Sequence, residues 1–161
     1  KTYKQAKDLK VTEREKWSVM FPLRGKVLKG LRKGRHVTGY PTAKLDYDPR
    51  EIEDGIYVGK AKVLDVDNRS RRALISVSSR QDITGKTRRS VVVYIRHNYQ
   101  SDFYGHDMDV SIVGLIRHQQ RFENEQELRK AMNCDLKELE TITIDKDGLL
   151  QSYKSENDDD L

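Results

Sequence analysis

Two adjacent segments near the start of the chain carry the kinds of side chain that bind phosphate. Residues 28–36 read LKGLRKGRH and residues 39–45 read GYPTAKL, so glycines, basic residues and a hydroxyl follow closely. Glycine lets the backbone approach a phosphate, and Lys and Arg supply the opposite charge. The residues predicted to bind phosphate are Gly30, Arg32, Lys33, Gly34, Arg35, Thr42 and Lys44.

The same segments depart from well-defined phosphate and metal sites. The Walker A pattern, Gly-x4-Gly-Lys-Ser/Thr, is absent. Thr42 offers an oxygen to a divalent cation, but Lys44 offers none, and Mg²⁺ requires oxygen ligands in octahedral geometry. A glycine turn with a solvated basic face is therefore the alternative interpretation of residues 28–36.

The whole chain is polar and basic, and its charge is unevenly distributed. It has 161 residues, of which 35% are hydrophobic and 35% charged, with a formal net charge of +5. Basic side chains crowd residues 1–35, and four acidic ones lie among residues 156–160. This asymmetry favours anionic partners such as phosphates, RNA or an acidic protein, although two charged tails on a soluble surface would give the same pattern.

Cysteine content and hydropathy exclude several classes of protein. Cys134 is the only cysteine, so an internal disulfide and a cysteine-rich metal site are excluded. No apolar run reaches membrane-spanning length, and we expect no secretory signal at the start. We therefore expect an intracellular protein, cytoplasmic or organellar. The histidines are scattered and are interpreted as surface or packing residues: His36, His97, His106 and His118.

From Leu23 onward the apolar residues follow the two-residue period of β-strands, with turn signals between the runs. Asp54-Gly55 is one such signal, and it opens a run rich in β-branched residues. Several short strands at this spacing favour a small antiparallel barrel or sandwich. The predicted strands lie in LRGKVLKG, DGIYVGKAKVLDV, RRALISVSS, SVVVYIRHNY and MDVSIVGLIRH.

The pattern becomes helical after Asn124. Asn124 can cap a helix, and Glu127, three residues on, completes a capping box. A stripe at helical spacing follows, apolar except for one aspartate, and it predicts a helix that packs on the barrel. The stripe consists of Leu128, Ala131, Met132, Asp135, Leu136 and Leu139.

Three regions follow from these patterns. Residues 1–20 form a basic N-terminal arm or short helix, and residues 21–142 form the barrel with its helix. Residues 143–161 form an acidic C-terminal tail that begins with a turn at residues 145–148.

The order of the motifs resembles that of the riboflavin kinase (flavokinase) family. The resemblance runs from about Phe21 to Glu140 and is most specific in SDFYG, VSIVGLIR and the following Phe122. It implies a mostly β fold, a six-stranded antiparallel barrel with a C-terminal amphipathic helix. It also implies transfer of the γ-phosphoryl group of ATP to riboflavin, giving FMN, with Mg²⁺ as the metal. The other matching segments are GKVLKGLRKGRHVTGYPTAKL, DGIYVGKAKV and LISVSS.

The resemblance identifies the side chains that this chemistry would need, and two are replaced. The family motif Pro-Thr-Ala-Asn supplies oxygens near the metal. Thr42 keeps the first, so it is the predicted metal ligand, whereas Lys44 replaces the asparagine. The catalytic glutamate of the family falls on Val92, which cannot accept a proton, so no catalytic residue is predicted. Arg117 matches a position near the flavin and is the predicted flavin-binding residue, and the acidic position two residues on is Gln119.

A third departure lies in SVSSRQD, where the family segment resembles Ser-x-Gly-x-Asn-Pro. Ser76 matches, but Ser78, Arg80 and Gln81 stand at the following positions. The resemblance places this segment near the ligands.

Two hypotheses about function stay open. The first is a divergent riboflavin kinase that uses ATP and Mg²⁺ and takes riboflavin or FMN as ligand. The second, favoured by Lys44 and Val92, is a retained fold whose catalysis is impaired or lost. Such a protein would still bind flavin or nucleotide. Alternatively, it would be a non-catalytic structural or interaction subunit of a larger assembly, binding RNA or an acidic protein through the basic N-terminal region.

Overall fold

The computed structural model of the chain describes residues 21–29, 39, 41–144 and 150–152. The predicted N-terminal arm, residues 1–20, lies outside this part. The barrel strands are β1 (Phe21–Leu28), β2 (Thr42–Asp46), β3 (Gly55–Val63), β4 (Arg71–Gln81), β5 (Thr87–Ile95) and β6 (Asp107–Arg117). They are followed by helix α1 (Glu125–Thr141) and two short strands, β7 (Ile142–Ile144) and β8 (Leu150–Ser152).

The six long strands close into a barrel in the order β1-β2-β5-β4-β3-β6, and every neighbouring pair is antiparallel. Alternate side chains of a strand point to opposite faces, so each strand contributes every second residue to the interior. In β2, for example, Ala43 and Leu45 are buried in the interior core, whereas Thr42 and Lys44 are partly buried on the outer face. The predicted six-stranded barrel is confirmed.

Helix α1 covers part of the outer face and creates a second hydrophobic core. Met132 and Leu139 of the helix pack with outward-facing residues such as Val58 and Leu74. The helix begins as predicted, because the Glu127 amide donates to the Asn124 side-chain oxygen at 2.9 Å. Helix cover also explains why strands β3 and β6 are buried on both faces over part of their length.

The pairing of β3 with β6 requires a glycine and contains two irregularities. A Cβ atom on Gly59 would lie 2.0 Å from the backbone oxygen of Ser111, so only glycine allows this close approach. The register shifts between Ile56 and Tyr57 and again between Val58 and Gly59. Such bulges redirect side chains along a strand, and the first of them lies beside Arg117.

Strands β4 and β5 extend beyond their other neighbours as a two-stranded ribbon. Residues 78–81 pair with residues 87–90, whereas β3 pairs with β4 only as far as Val77 and β2 pairs with β5 only as far as Val91. Ile83 at the tip of the ribbon is fully exposed.

Two features differ from the sequence predictions. Strand β2 lies within GYPTAKL, which the apolar period did not predict as a strand. Strands β7 and β8 pair as an antiparallel hairpin in the region predicted as an acidic tail. The predicted turn at residues 145–148 and the acidic end, residues 153–161, lie outside the described residues. Among the helices that the structure describes, none has the length and hydropathy needed to span a membrane.

Candidate functional site

The backbone around Pro41 positions the predicted phosphate and metal residues. Gly39 has a φ of +79°, a left-handed conformation that favours glycine. The Pro41 carbonyl accepts a hydrogen bond from the Ile95 amide at 3.1 Å, so pairing with β5 begins immediately before Thr42. A proline at the first position of a strand loses no pairing amide. The turn and the proline therefore place Thr42 and Lys44 on a strand.

Thr42 and Lys44 lie on the same outer face and have no partner among the described residues. The Thr42 Oγ1 atom is buried and makes no hydrogen bond within this part of the chain. Lys44, two residues on, is partly buried and forms no ion pair with any residue that the structure describes. A buried hydroxyl without a partner costs about 1–3 kcal/mol. Such a group is therefore a candidate contact for a ligand.

The strand register connects the other predicted site residues into one row. Lys44 is directly opposite Val92 on β5, and Val92 is opposite Ser76 on β4. Ser76 is opposite Ile56 on β3, which is opposite Arg117 on β6. With neighbouring strands about 4.8 Å apart, the row is roughly 19 Å long around the barrel. The resemblance puts the metal position at Lys44 and the base position at Val92, and the register makes these two residues cross-strand neighbours.

Arg117, the predicted flavin-binding residue, is held by the helix. Its Nε and Nη2 atoms donate to the Asp135 carboxylate at distances of 2.8 to 3.1 Å, and Nη1 donates to the His118 carbonyl at 3.3 Å. The side chain of Asp135 is 5% exposed and that of Arg117 is 13% exposed. The guanidinium also lies 5.7 Å from the centre of the Phe122 ring. Asp135 is therefore the polar exception in the helix stripe because it binds Arg117.

Gln119 is a site residue whose contacts the sequence did not indicate. Its Nε2 atom donates to the Ser76 hydroxyl at 3.0 Å and to the Val77 carbonyl at 2.9 Å, and it lies 3.3 Å from the Gly55 carbonyl. A side-chain amide can donate two hydrogen bonds and carries no charge. Gln119 thus connects the segment after β6 to Ser76 and Val77 on β4 by hydrogen bonds. As an amide, it brings no carboxylate to this part of the row.

No carboxylate takes the place of the missing base among the immediate neighbours of Val92. The residues beside it on the same face are Lys44, Ser76, Ser90 and Tyr94. Burial raises the pKa of Tyr94, so its hydroxyl stays protonated at neutral pH and cannot serve as a base. None of these four neighbours is a carboxylate that could take the proton of an attacking hydroxyl.

Asp82, a carboxylate in the connection between β4 and β5, is held in the turn of the β4–β5 ribbon. The Thr84 hydroxyl, 2.6 Å from Asp82 Oδ1, lowers the pKa of Asp82, and Arg88 and two backbone amides also donate to this carboxylate. Its oxygens are committed to the turn, far along β5 from Val92.

Thr42 and Lys44 do not provide the oxygen ligands that a divalent cation requires. Thr42 supplies one oxygen without a partner among the described residues, but Lys44 supplies an ammonium group, which repels a cation. Among the described residues, no group of three or more His, Cys, Asp or Glu side chains could hold a metal ion. The predicted basic loop residues lie outside the described part: Gly30, Arg32, Lys33, Gly34 and Arg35.

A separate cleft of about 740 Å³ lies at the connection from β3 to β4. Its described lining runs from Lys62 to Asn68 and contains none of the predicted site residues. Asp67 in this lining accepts hydrogen bonds from Arg71 at 2.7 Å and from Tyr99 at 3.2 Å. The Asp67 carboxylate of the cleft is therefore already paired within the protein.

Comparison with known proteins agrees with this architecture. The profile of the Flavokinase family, described as riboflavin kinase, matches residues 18–143. A riboflavin kinase from Homo sapiens is 31% identical over 144 residues, covering 82% of this chain and 91% of that protein. The RNA-binding riboflavin kinase RibR of Bacillus subtilis (strain 168) is 24% identical over 149 residues, covering 88% of this chain and 63% of that protein.

A solved structure supports the fold independently. The crystal structure of riboflavin kinase from Trypanosoma brucei matches with a TM-score of 0.52 at 21% identity and covers 74% of each chain. Because the family profile spans most of the sequence and the human relative exceeds 30% identity, the chain belongs to the riboflavin kinase family.

Proposed function

We propose that this member of the riboflavin kinase family binds flavin or nucleotide on the outer face of its barrel, with phosphoryl transfer that is weakened or lost. The observation that carries the proposal is the direct pairing of Lys44 with Val92, beside the Thr42 hydroxyl that has no hydrogen-bond partner among the described residues. The two substitutions fall at one place, while the strands that hold it are complete.

The chemistry of the family explains why this combination affects catalysis more than binding. Phosphoryl transfer needs positioned phosphates, neutralised charge and a group that orients the attacking hydroxyl. Loss of a general base lowers the rate by about 10² to 10⁴. Thr42 retains a hydroxyl at the site, and Arg117 supplies a positioned guanidinium at the other end of the row, the predicted contact for the flavin. ATP, a metal ion and riboflavin are the ligands that the family uses.

The first test separates binding from turnover. Thermal unfolding is measured with riboflavin, FMN, ATP and ADP, each with and without Mg²⁺, because a ligand that binds only the folded state must raise its stability. Formation of FMN is measured at high protein concentration in parallel. We expect stabilisation with little or no FMN. Turnover at a rate typical of kinases would contradict the loss of catalysis, and absence of any stabilisation would contradict binding.

A second test restores the missing groups. The double variant Val92→Glu with Lys44→Asn supplies a base and an oxygen ligand on an unchanged scaffold. We expect FMN formation to appear or to rise by about 10² or more, the lower limit for a general base. No gain in a folded double variant would mean that the altered segment from Ser76 to Gln81 also prevents the reaction.

A non-catalytic interaction role is the second candidate. The relative RibR is named as an RNA-binding riboflavin kinase, and residues 1–35 of the present chain are strongly basic. Binding through phosphate contacts would weaken steeply with salt, as counterion release requires. A filter-binding or anisotropy titration with RNA at several salt concentrations tests this role. Binding that is absent, or that does not change with salt, would exclude it.

A further inference from the structure

The side chain opposite Lys44 decides what the lysine can bind. Directly opposite residues of an antiparallel pair have Cβ atoms about 4.5–5.5 Å apart, which is within reach of an ion pair. A carboxylate at position 92 would therefore attract the Lys44 ammonium and neutralise it. Valine cannot, and no residue that the structure describes forms an ion pair with Lys44, so within this part of the chain the ammonium is available on the outer face.

Thr42 provides a second group that favours an anionic ligand. Its Oγ1 atom is buried without a partner in the described residues, and it lies two residues from Lys44 on the same face. A hydroxyl that donates a hydrogen bond and an ammonium that carries charge both favour an anionic oxygen. A metal cation would satisfy the hydroxyl only, and it would be repelled by the ammonium.

We propose that Thr42 and Lys44 bind the phosphate group of an organic phosphate without a divalent cation, the Lys44 ammonium supplying the positive charge. The inference rests on the proposed function, since it names the chemistry of the ligand for the same site. The phosphate belongs to FMN or to a nucleotide such as ADP, and both present the same oxygens to this pair.

The inference makes the absence of a carboxylate at position 92 a requirement for phosphate binding. Restoring a carboxylate at position 92 alone would place it against Lys44 and remove the free charge. Val92→Glu is therefore expected to weaken phosphate binding, although it returns the base that the reaction would need. Val92→Gln has nearly the same size without the charge, and it serves as the matched control.

The experiment measures the binding of FMN, ADP and riboflavin by calorimetry in EDTA and again in Mg²⁺. For the unaltered protein we expect FMN or ADP to bind in EDTA, with less than about a threefold change in Kd on adding Mg²⁺. Lys44→Gln and Val92→Glu are each expected to raise the Kd of the phosphate ligand about 10- to 100-fold, the range for a charge-assisted hydrogen bond. Val92→Gln should change it less than about threefold, and inorganic phosphate should compete.

The outcomes separate this inference from the proposed function. Binding of FMN or ADP only with Mg²⁺, or equal binding by Lys44→Gln, would overturn the inference and leave the flavin or nucleotide site in place. Binding of riboflavin alone would do the same. If none of the three ligands binds, the proposed function fails and the inference fails with it. Melting temperatures without ligand confirm that each variant is folded.

Discussion

Arg89 on β5 and Lys44 on β2 are both long cations on the barrel wall, but their surroundings are opposite. Arg89 donates to the carbonyls of Pro49 and Ile52, to the Asp54 carboxylate at 2.8 Å and to a serine hydroxyl. Lys44 has no ion-pair partner in the described residues, and the hydroxyl of its neighbour Thr42 has no hydrogen bond there. The first cation holds a loop to the barrel, and the second has no such role among the described residues.

Polar groups whose hydrogen bonds are made within the described residues therefore differ from polar groups that have no partner there. A buried group with its hydrogen bonds made contributes to stability, and its removal leaves other groups unpaired. A buried group without a partner costs stability, so its replacement by an apolar group of similar size should not lower the stability. Stability measurements on matched variants can therefore test whether the two kinds of polar group differ in this way.

The largest effect is expected at the most buried ion pair. Asp135→Leu leaves the Arg117 guanidinium without its carboxylate, and we expect the free energy of unfolding to fall by about 3–5 kcal/mol. Adding Arg117→Met removes the unpaired charge and should recover most of this loss. Urea unfolding of both single variants and the double variant gives the coupling. Additive effects would mean that the pair is not formed in solution.

Arg89 should show the next largest effect. Arg89→Met keeps much of the side-chain length but removes the guanidinium that donates to two backbone carbonyls and to Asp54, so we expect a loss of about 2 kcal/mol in unfolding free energy. Arg88→Met is the matched control, because Arg88 is adjacent but pairs with Asp82 on the surface. The control should change stability by less than about 0.5 kcal/mol. Equal losses would remove the distinction between the two arginines.

Asp67 should make the unfolding free energy depend on pH, and the direction of its pKa shift gives the sign. The hydrogen bond from Arg71 lowers the pKa of Asp67 below 3.8, its ordinary value. The stability that this carboxylate contributes is therefore complete above pH 3.8 and is lost as the pH falls through the lower, folded-state pKa. Unfolding free energy measured across this range should fall more steeply in the unaltered protein than in Asp67→Asn. If the unfolding free energy of both proteins falls equally with pH, the Asp67 carboxylate is not the cause of the pH dependence.

The smallest effect on stability is expected at Thr42. Thr42→Val replaces an unpartnered hydroxyl by a methyl group of similar size, so we expect the unfolding free energy to change by less than about 0.5 kcal/mol or to rise. Ser76→Ala is the matched comparison, since Ser76 loses its hydrogen bond with Gln119 and should destabilise by about 1 kcal/mol. A larger loss for Thr42→Val than for Ser76→Ala would mean that Thr42 serves the fold.

Much of this architecture follows from the sequence, because alternating apolar residues mark five barrel strands and a capped stripe marks the helix. Strand β2 escaped the apolar period, since only Ala43 and Leu45 of its five residues face the core. The register could not be predicted, although it alone shows that Lys44 faces Val92. The ion pair of Arg117 with Asp135 could not be predicted from the sequence either. Asp135 lies on the helix, and a bulge in the pairing of β6 lies beside Arg117.

The ribbon formed by the ends of β4 and β5 has a consequence for how copies of this protein meet in concentrated solution. Within the described residues its two outer edges carry backbone groups that no third strand uses, and such edges invite pairing with another molecule. Arg80 and Arg88 face each other across the ribbon, and both are exposed. A second ribbon arriving at either edge would add two more guanidinium groups, of which that of Arg88 is paired with Asp82 and that of Arg80 has no ion pair among the described residues, so like-charge repulsion opposes self-association at the edges. Salt that screens these charges should therefore lower colloidal solubility before it affects the fold.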